Sequence, residues 1–223
     1  MKRRIAVGDV HGCQKTLHKL LFENIRITKK DEIYLLGDLI DRGPAIKQVV
    51  DDVIRWREEG YWINCIIGNH EWLLLKALES EENYELWMRN DGLSTLKSFH
   101  INDIHHLPKH YVNFFMGMAY HLETAHFVIV HGGLNFNLNN PFEDRDSMVW
   151  ARNRFVDLSK TKNKRLIVGH TPTPLNEILE SNKTDRIRID GGCVYDKIHK
   201  GLGFLVAYDL DKDEFFYERN SDN

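Results

Sequence analysis

The stretch RIAVGDVHG at residues 4–12 contains a short apolar run that ends in glycine, aspartate and histidine. The apolar run predicts a buried β-strand, and Gly8 followed by Asp9 predicts a sharp turn where that strand ends. The next segment, residues 15–25, carries leucines and isoleucine at helical spacing. A strand, a turn with a polar side chain and a helix make the unit of α/β folds, so this stretch predicts an α/β protein.

The same unit occurs twice more in the first third of the chain. EIYLLGD at residues 32–38 predicts a strand that ends at Asp38, and WINCIIGN at residues 62–69 predicts a strand that ends at Asn69. Asp9, Asp38 and Asn69 are therefore 29 and 31 residues apart, close to the ~30 residues of a βαβ unit. Because parallel strands end at the same edge of a sheet, we expect these three side chains to converge.

The remaining sequence predicts a mixed order of helices and strands. The predicted elements are a helical insert at 72–99, strands at 118–122, 127–130 and 165–168, a helix near 149–158, and a C-terminal hairpin that turns at 209–213. The strand at 127–130 runs into HGG, and the strand at 165–168 runs into GHT. Without a linker, low-complexity segment or long repeat, residues 1–223 are expected to form one domain.

Five glycine-containing motifs thus follow predicted strands. Any one of them alone is better explained as a turn, a helix cap or a core histidine. Together they are expected to bring six side chains into strand-end turns of one sheet: Asp9, His11, Asp38, Asn69, His131 and His170. Oxygen and imidazole ligands without thiolates are typical of a two-metal hydrolytic site.

Composition limits the classes of partner. The formal net charge is −3, so no general positive field attracts nucleic acid or an anionic membrane, and an anionic substrate must be held by local groups. Cys13, Cys65 and Cys193 form no close pair, which argues against a disulfide framework or structural zinc. The first apolar run ends at Val7, too early for a signal peptide, and no apolar segment reaches membrane-spanning length. A cytoplasmic location is therefore expected.

The five motifs, in this order, resemble those of the phosphoprotein phosphatase superfamily of metallophosphoesterases. The resemblance extends from Gly8 to Thr171, and DRG at residues 41–43 resembles the serine/threonine phosphatase branch. GHTP at residues 169–172 is most similar to small bacterial and phage phosphatases and to symmetrical diadenosine tetraphosphate hydrolases. The nuclease branch usually has a second histidine where this chain has Pro172. The resemblance implies an α/β calcineurin-like fold, a β-sandwich flanked by helices with its site at the strand carboxyl ends.

The resemblance also implies a dinuclear metal centre. It assigns Asp9, His11 and the bridging Asp38 to one divalent metal, and Asp38, Asn69, His131 and His170 to the other. A bridging hydroxide would attack phosphorus directly, without a covalent phosphoenzyme. Manganese is the expected metal, and iron and zinc also suit these ligands.

Four further residues have implied roles. His70 would protonate the leaving oxygen, and Asp41 would hydrogen-bond its other ring nitrogen. Arg42 and Arg152 would bind the substrate phosphate, with Arg145 and Arg154 near enough in sequence to compete with Arg152. Glu71 is interpreted as a supporting carboxylate rather than a metal ligand, and DGG at residues 190–192 is given no chemistry.

Three functions follow as hypotheses. The first is a metal-dependent serine/threonine protein phosphatase, a monomer acting on phosphoproteins or phosphopeptides. The alternative enzyme is a symmetrical diadenosine tetraphosphate hydrolase with the same metal centre. The third hypothesis, a binding module without activity, requires a broken metal ligand, and every motif ligand is intact.

Overall fold

Two β-sheets face each other in the computed structural model, which describes residues 2–222. The strands, numbered in chain order, are β1 (Arg4–Val7), β2 (Glu32–Leu35), β3 (Trp62–Cys65), β4 (His121–Glu123), β5 (Phe127–Val130), β6 (Arg165–Val168), β7 (Arg186–Arg188), β8 (Phe204–Asp209) and β9 (Glu214–Arg219). The first sheet has the order β3-β2-β1-β8-β9, and the second has the order β4-β5-β6-β7.

Each sheet has a parallel core. In the first sheet β1, β2 and β3 are parallel, with Ile5 opposite Ile33 and Ile33 opposite Ile63. β8 runs antiparallel to β1, and β9 runs antiparallel to β8. In the second sheet β5, β6 and β7 are parallel and β4 is antiparallel. The carboxyl ends of the parallel strands in each sheet therefore lie along one edge.

Helices occupy the connections. They are α1 (Gln14–His18), which continues as a π-helical segment (Lys19–Asn24), α2 (Ile46–Glu58), α3 (Asn69–Ala77), α4 (Glu81–Met88), α5 (Gly92–Ser98), α6 (Lys109–Met116), α7 (Arg145–Trp150) and α8 (Leu175–Glu180). Short 3₁₀ turns lie at Ile104–His106, Pro141–Glu143, Ser181–Lys183 and Cys193–Tyr195. No helix within residues 2–222 has the length and apolar character that crossing a bilayer requires.

Successive strand residues point to opposite sides of a sheet, and both sides are buried in this protein. Ala6 of β1 and Ile129 of β5 pack between the two sheets. Ile5 faces the opposite way and packs with apolar residues of the helices that precede β4. Val128 and Leu166 face the outer side of the second sheet, where Met148 of α7 covers them. Burial on both faces explains why the strands read as continuous apolar runs.

The β-sandwich flanked by helices is confirmed, whereas the expectation of a single sheet for all five motifs is wrong. Asp9, Asp38 and Asn69 follow strands of the first sheet, and His131 and His170 follow strands of the second. An apolar run indicates how deeply a strand is buried but not which strand it pairs with. The residue pattern alone therefore could not assign the five motifs to two different sheets.

The helix predicted near residues 149–158 is also wrong. The helix α7 begins earlier because Asp144 caps it, with Oδ1 of Asp144 accepting a hydrogen bond from the backbone N–H of Ser147 at 3.0 Å. It ends at Trp150 because Ala151 has extended backbone, with ψ at 144°. The loop that follows carries Arg152 in an irregular conformation.

Candidate metal centre

The polar residues that follow the strands of both sheets meet in one buried cluster. The backbone N–H of His170 donates to Oδ2 of Asp9 at 2.9 Å, which joins the second sheet to the first. The backbone N–H of His70 donates to Oδ1 of Asp38 at 3.1 Å, and Nε2 of His131 lies 3.4 Å from Oδ2 of Asp38. The structure therefore brings together all six residues expected to hold metal.

The backbone of this cluster is strained. Positive φ angles occur at His11 (43°), Asp38 (48°), Asp41 (64°), Arg42 (70°) and His170 (67°). A left-handed conformation costs roughly 1–2 kcal/mol at a residue other than glycine. Such residues cluster at functional sites because the surrounding contacts must hold them there.

Two glycines allow the motifs to approach one another closely. A Cβ atom at Gly68 would overlap Oδ1 and the backbone nitrogen of Asp38. A Cβ atom at Gly169 would overlap Oδ1 of Asp9. Each glycine thus leaves room for a carboxylate of a different motif, and any larger residue would displace that carboxylate.

Asp38 lies at the centre of the cluster and belongs to two candidate cation sites. His11, Asp38 and His70 form one group, and Asp38, His131 and His170 form the other; within each group the potential ligand atoms lie within 4.8 Å of one another. All five residues are buried. A carboxylate shared by two adjacent groups is the arrangement that a bridged pair of cations needs.

Backbone carbonyls orient two of the histidines. Nδ1 of His11 lies 2.8 Å from the oxygen of Ile40, and Nδ1 of His131 lies 2.7 Å from the oxygen of Leu36. An Nδ1–H that donates to a carbonyl leaves the Nε2 lone pair as the metal-binding atom. In both residues Nε2 faces Asp38, at 3.5 Å for His11 and 3.4 Å for His131.

Asn69 supplies an amide oxygen between the remaining histidines. Its Oδ1 lies 2.9 Å from Nε2 of His131 and 2.7 Å from Nδ1 of His170. Asn69 begins α3, directly after Gly68. The expected ligands that follow β3, β5 and β6 therefore lie close enough together to coordinate one ion.

Unpartnered buried atoms show that a cation fits these residues. Oδ1 of Asp9 and Nε2 of His170 have no hydrogen-bond partner within the described part of the chain, although the two residues are only 3% and 7% exposed. An unsatisfied buried polar atom costs roughly 1–3 kcal/mol. Carboxylate, amide and imidazole donors suit Mn, Fe or Zn, so the donor set and the unpartnered atoms both fit divalent metal.

Arg42 extends from this cluster towards solvent. Its Nη1 lies 2.7 Å from Nε2 of His11, and its Nε lies 3.5 Å from a carboxylate oxygen of Asp91. Coordination of a metal by Nε2 of His11 would require the guanidinium to turn away from that nitrogen. Arg42 is consequently next to the candidate centre.

His70 and Asp41 form a buried pair beside the cluster. Nδ1 of His70 lies 2.7 Å from Oδ2 of Asp41, and neither residue has measurable exposure. Nε2 of His70 has no hydrogen-bond partner in the described residues, and its ring packs edge-to-face on that of His11 at 4.8 Å. The free nitrogen is thus the one available to a ligand or substrate.

Residues 2–209 match the calcineurin-like phosphoesterase family. This chain belongs to that family. The predicted metallophosphoesterase membership is thereby confirmed, and members of the family use a dinuclear centre of divalent metals.

Individual relatives match parts of this phosphoesterase. Serine/threonine-protein phosphatase 1 of Salmonella typhimurium is 38% identical over 86 residues, which are 39% of this chain and 37% of that protein. The symmetrical bis(5'-nucleosyl)-tetraphosphatase of Paracidovorax citrulli is 37% identical over 71 residues, 32% of this chain and 24% of that protein. The matched segments thus span about a quarter to two fifths of these relatives.

A crystal structure of a candidate diadenosine tetraphosphatase matches the whole fold. The TM-score is 0.70 at 19% identity, with 99% of this chain and 95% of that chain covered. At this identity the likeness establishes the calcineurin-like architecture, two sheets with flanking helices.

Opposite charges dominate the electrostatics of the phosphoesterase centre. Burial and the nearby charge of Asp190 raise the pKa of Asp9. Burial opposes ionisation of Asp38 as well, but the charges of His131 and His70 hold the pKa of Asp38 well below its ordinary value. Burial would lower the pKa of His131, whereas Asp38 and Asp9 raise it to about 10. The buried carboxylates thus favour a positive charge between them, which bound divalent metal would supply.

Of the three candidates for the second phosphate contact, Arg152 is the one whose charge acts on His170. Burial and the charges of His131 and Arg152 lower the pKa of His170 to about 3. Arg145 packs over the ring of Tyr120 instead, at 4.8 Å from the centroid. Arg154 lines a surface cavity of about 390 Å³ with Phe155 and Arg186.

Sequence reasoning missed one acidic residue of the phosphoesterase centre. Asp190 follows β7, is 3% exposed, and accepts a hydrogen bond from the backbone N–H of Gly192 at 2.9 Å. Burial, with a contribution from the charge of Asp38, raises its pKa to about 6. The signal was present, since DGG at residues 190–192 repeats the pattern of a polar residue and glycine after a strand.

Glu71 supports the loop that carries Asp38. Its carboxylate accepts hydrogen bonds from the backbone N–H groups of Asp38 at 2.8 Å, Leu39 at 2.7 Å and Gly68 at 3.0 Å. Burial raises the pKa of Glu71 to about 7. These contacts occupy both carboxylate oxygens and agree with its interpretation as a supporting residue.

Proposed function

We propose that this metallophosphoesterase is a serine/threonine protein phosphatase that hydrolyses phosphomonoesters of proteins or peptides. The observation that supports hydrolysis of a phosphate ester is the buried His70–Asp41 pair, because the free Nε2 of His70 belongs to one of the two candidate cation groups that share Asp38. An acid beside a bridged metal pair is what hydrolysis of a phosphate ester requires. The similarity of part of the chain to the Salmonella phosphatase supports the choice of substrate.

The proposed metal ligands are those expected from the sequence. Asp9, His11 and Asp38 would hold one ion, and Asp38, Asn69, His131 and His170 would hold the other. Manganese is proposed as the activating ion, with iron and zinc as alternatives of the same ligand preference. Two bound divalent ions supply Lewis-acid activation of the phosphate group and of the attacking water.

Arg42 and Arg152 are proposed to bind the phosphoryl oxygens. A guanidinium matches two phosphate oxygens in one plane, so it orients the ester as well as attracting it. Arg42 adjoins His11, and the charge of Arg152 acts on His170, so the two arginines approach the centre from different sheets. Local cations of this kind let a chain of net charge −3 bind an anion.

His70 is proposed to donate the proton on Nε2 to the leaving oxygen. Asp41 accepts the hydrogen bond from Nδ1–H, which fixes the orientation of the ring. Both side chains are fully buried, so bulk water does not compete for this hydrogen bond. The leaving group would then depart as a neutral alcohol, with no phosphate transferred to the protein.

The second candidate is symmetrical hydrolysis of diadenosine tetraphosphate. Two observations favour it: the partial similarity to the Paracidovorax citrulli enzyme and the fold match to a candidate diadenosine tetraphosphatase. The metal centre and His70 would serve both reactions equally, since both break a phosphorus–oxygen bond.

A direct assay separates the candidates. The purified chain with Mn²⁺ is given a phosphoserine or phosphothreonine peptide and diadenosine tetraphosphate at equal concentrations, with Asp9→Asn as the inactive control. The proposal requires the larger kcat/KM on the phosphopeptide. Preferential conversion of diadenosine tetraphosphate to ADP would replace it with the second candidate.

The proposal treats residues 1–223 as one domain that acts as a monomer in the cytoplasm, on phosphoproteins rather than on nucleic acid or membranes. One site built from both sheets supports the single domain. The free thiols of Cys13, Cys65 and Cys193 support a reducing compartment.

A further inference from the structure

The helices α4 and α5 hold the side chain of Asp41. Nε1 of Trp87, on α4, donates to Oδ2 of Asp41 at 3.0 Å, the same oxygen that lies 2.7 Å from His70. The hydroxyl of Thr95, on α5, donates to Oδ1 of Asp41 at 2.5 Å and accepts from the backbone N–H of Asp41 at 3.1 Å. Both oxygens of the carboxylate thus accept a hydrogen bond from a helix of this segment.

The same segment also holds the neighbouring Arg42. The backbone N–H of Arg42 donates to Oγ of Ser94 at 2.7 Å, and that hydroxyl donates to the carbonyl of Asp91 at 2.7 Å. The carboxylate of Asp91 lies 3.5 Å from Nε of Arg42. Residues 87–95 therefore contact both members of the Asp41–Arg42 pair.

These contacts act where the backbone is strained. Asp41 and Arg42 are consecutive left-handed residues, with φ at 64° and 70°. Neither is glycine, so each conformation must be stabilised by its surroundings. The hydrogen bonds of Thr95 and Ser94 to the two backbone N–H groups supply that stabilisation.

The position of Trp87 is itself determined by packing. Its side chain is fully buried, and a Cβ atom at Gly92 would lie 2.6 Å from Cδ2 of the indole. Gly92 begins α5, so the missing side chain lets α5 contact the indole directly. The indole N–H is consequently held in one direction, towards Asp41.

We propose that Trp87 and Thr95 are positioning residues for proton donation to the leaving group. They hold the Asp41 carboxylate in the one orientation in which its hydrogen bond to Nδ1 turns Nε2 of His70 towards the substrate. Without the indole N–H, Oδ2 of Asp41 keeps only His70 as a partner, and the carboxylate is held by Thr95 alone from the side of the helices. The inference rests on the proposed function, because it assigns His70 as the acid.

Leaving groups of different basicity test the proposal. Phenolate is a much stronger base than p-nitrophenolate, so phenyl phosphate depends more on the proton from His70 than p-nitrophenyl phosphate does. In Trp87→Phe with Mn²⁺ we expect kcat for phenyl phosphate to fall about tenfold, with a smaller fall for p-nitrophenyl phosphate and nearly unchanged KM. Trp56→Phe is the matched control, because Trp56 is equally buried in α2 but packs on Phe22.

A second pair of variants avoids reliance on one tryptophan. Thr95→Val removes the hydroxyl and should show the same selective loss, whereas Thr95→Ser keeps it and should behave as the wild type. This pair decides the outcome if Trp87→Phe does not fold. Bound manganese, measured on each purified variant, should equal that of the wild type.

The outcomes separate this inference from the proposed function. A wild type that hydrolyses neither ester contradicts the proposed function. An active wild type whose ratio of the two kcat values is unchanged in Trp87→Phe and Thr95→Val overturns the positioning role. Loss of manganese in these variants also overturns it, because the residues would then act through the metal centre.

Discussion

Asn69 and His131 connect the two sheets: Oδ1 of Asn69, which follows β3, lies 2.9 Å from Nε2 of His131, which follows β5. Their neighbours make the same kind of connection, since His170 contacts Asp9 across the two sheets. Ions held by these residues would therefore bind the sheets to one another as well as to substrate.

Metal removal should lower the melting temperature. A ligand that binds only the folded state stabilises it by about 2.7 kcal/mol when its concentration is a hundred times its dissociation constant. Chelation with EDTA should remove that stabilisation, and added Mn²⁺ should restore it. Differential scanning fluorimetry measures the change, with His131→Asn as the control that should respond weakly. Equal melting temperatures with and without Mn²⁺ would argue against a centre that spans both sheets.

Substitution of metal ligands and of the proposed acid should give different defects. Asp9→Asn and His131→Asn should abolish hydrolysis of p-nitrophenyl phosphate because they remove ligands. His70→Asn should reduce kcat about a hundredfold while metal remains bound. Turnover and bound manganese are measured on the same preparations. Full activity of Asp9→Asn would refute the assignment of the site.

A side chain at Gly68 should disrupt the centre. The Cβ atom of Gly68→Ala would overlap Asp38, and such overpacking costs about 2 kcal/mol. We expect a lower free energy of unfolding and loss of bound metal. Gly117→Ala is the control, since Gly117 has φ at −80° and its Cβ would lie 3.3 Å from the oxygen of Asn113. If both variants bind metal like the wild type, the close approach at Gly68 is not required.

Asp31 should make stability depend on pH in the acid range. Burial opposes its ionisation, but hydrogen bonds from Arg3 and Thr28 lower the pKa of Asp31 to about 2. A carboxyl with a lower pKa in the folded state stabilises the fold above its unfolded pKa of ~3.9, by about 2 kcal/mol here. That stabilisation is lost as the pH falls from about 4 through about 2.

The variant Asp31→Asn isolates this effect. In metal-free protein, its free energy of unfolding should differ more from that of the wild type at pH 7 than at pH 2.5. Urea unfolding at the two pH values gives both differences. A difference that does not change with pH would show that Asp31 contributes only neutral hydrogen bonds.

The sequence was most informative where local patterns determine geometry. Asp9, Asp38 and Asn69 could be predicted to converge because a strand followed by a glycine turn places the next polar residue at the sheet edge. His131 and His170 follow strands of a second sheet. Residue patterns could not predict this, since strand pairing depends on tertiary packing.

The contacts of Asp41 with α4 and α5 were likewise beyond sequence reasoning. Trp87 and Thr95 lie 46 and 54 residues from Asp41 and belong to helices whose apolar pattern indicates only a packed core. Asp190 was missed for a different reason: its local pattern resembled the other motifs, but no role was attached to it.

The hydrogen bond between His170 and Asp9 spans 161 residues, and β1 pairs with β8 near the other end of the chain. During synthesis, the first motif therefore leaves the ribosome long before its partners exist. Contacts between residues so distant in sequence form late and slowly. The nascent chain consequently has no complete ligand set until His170 has been synthesised and can reach Asp9, and metal acquisition becomes a late event in the maturation of the protein.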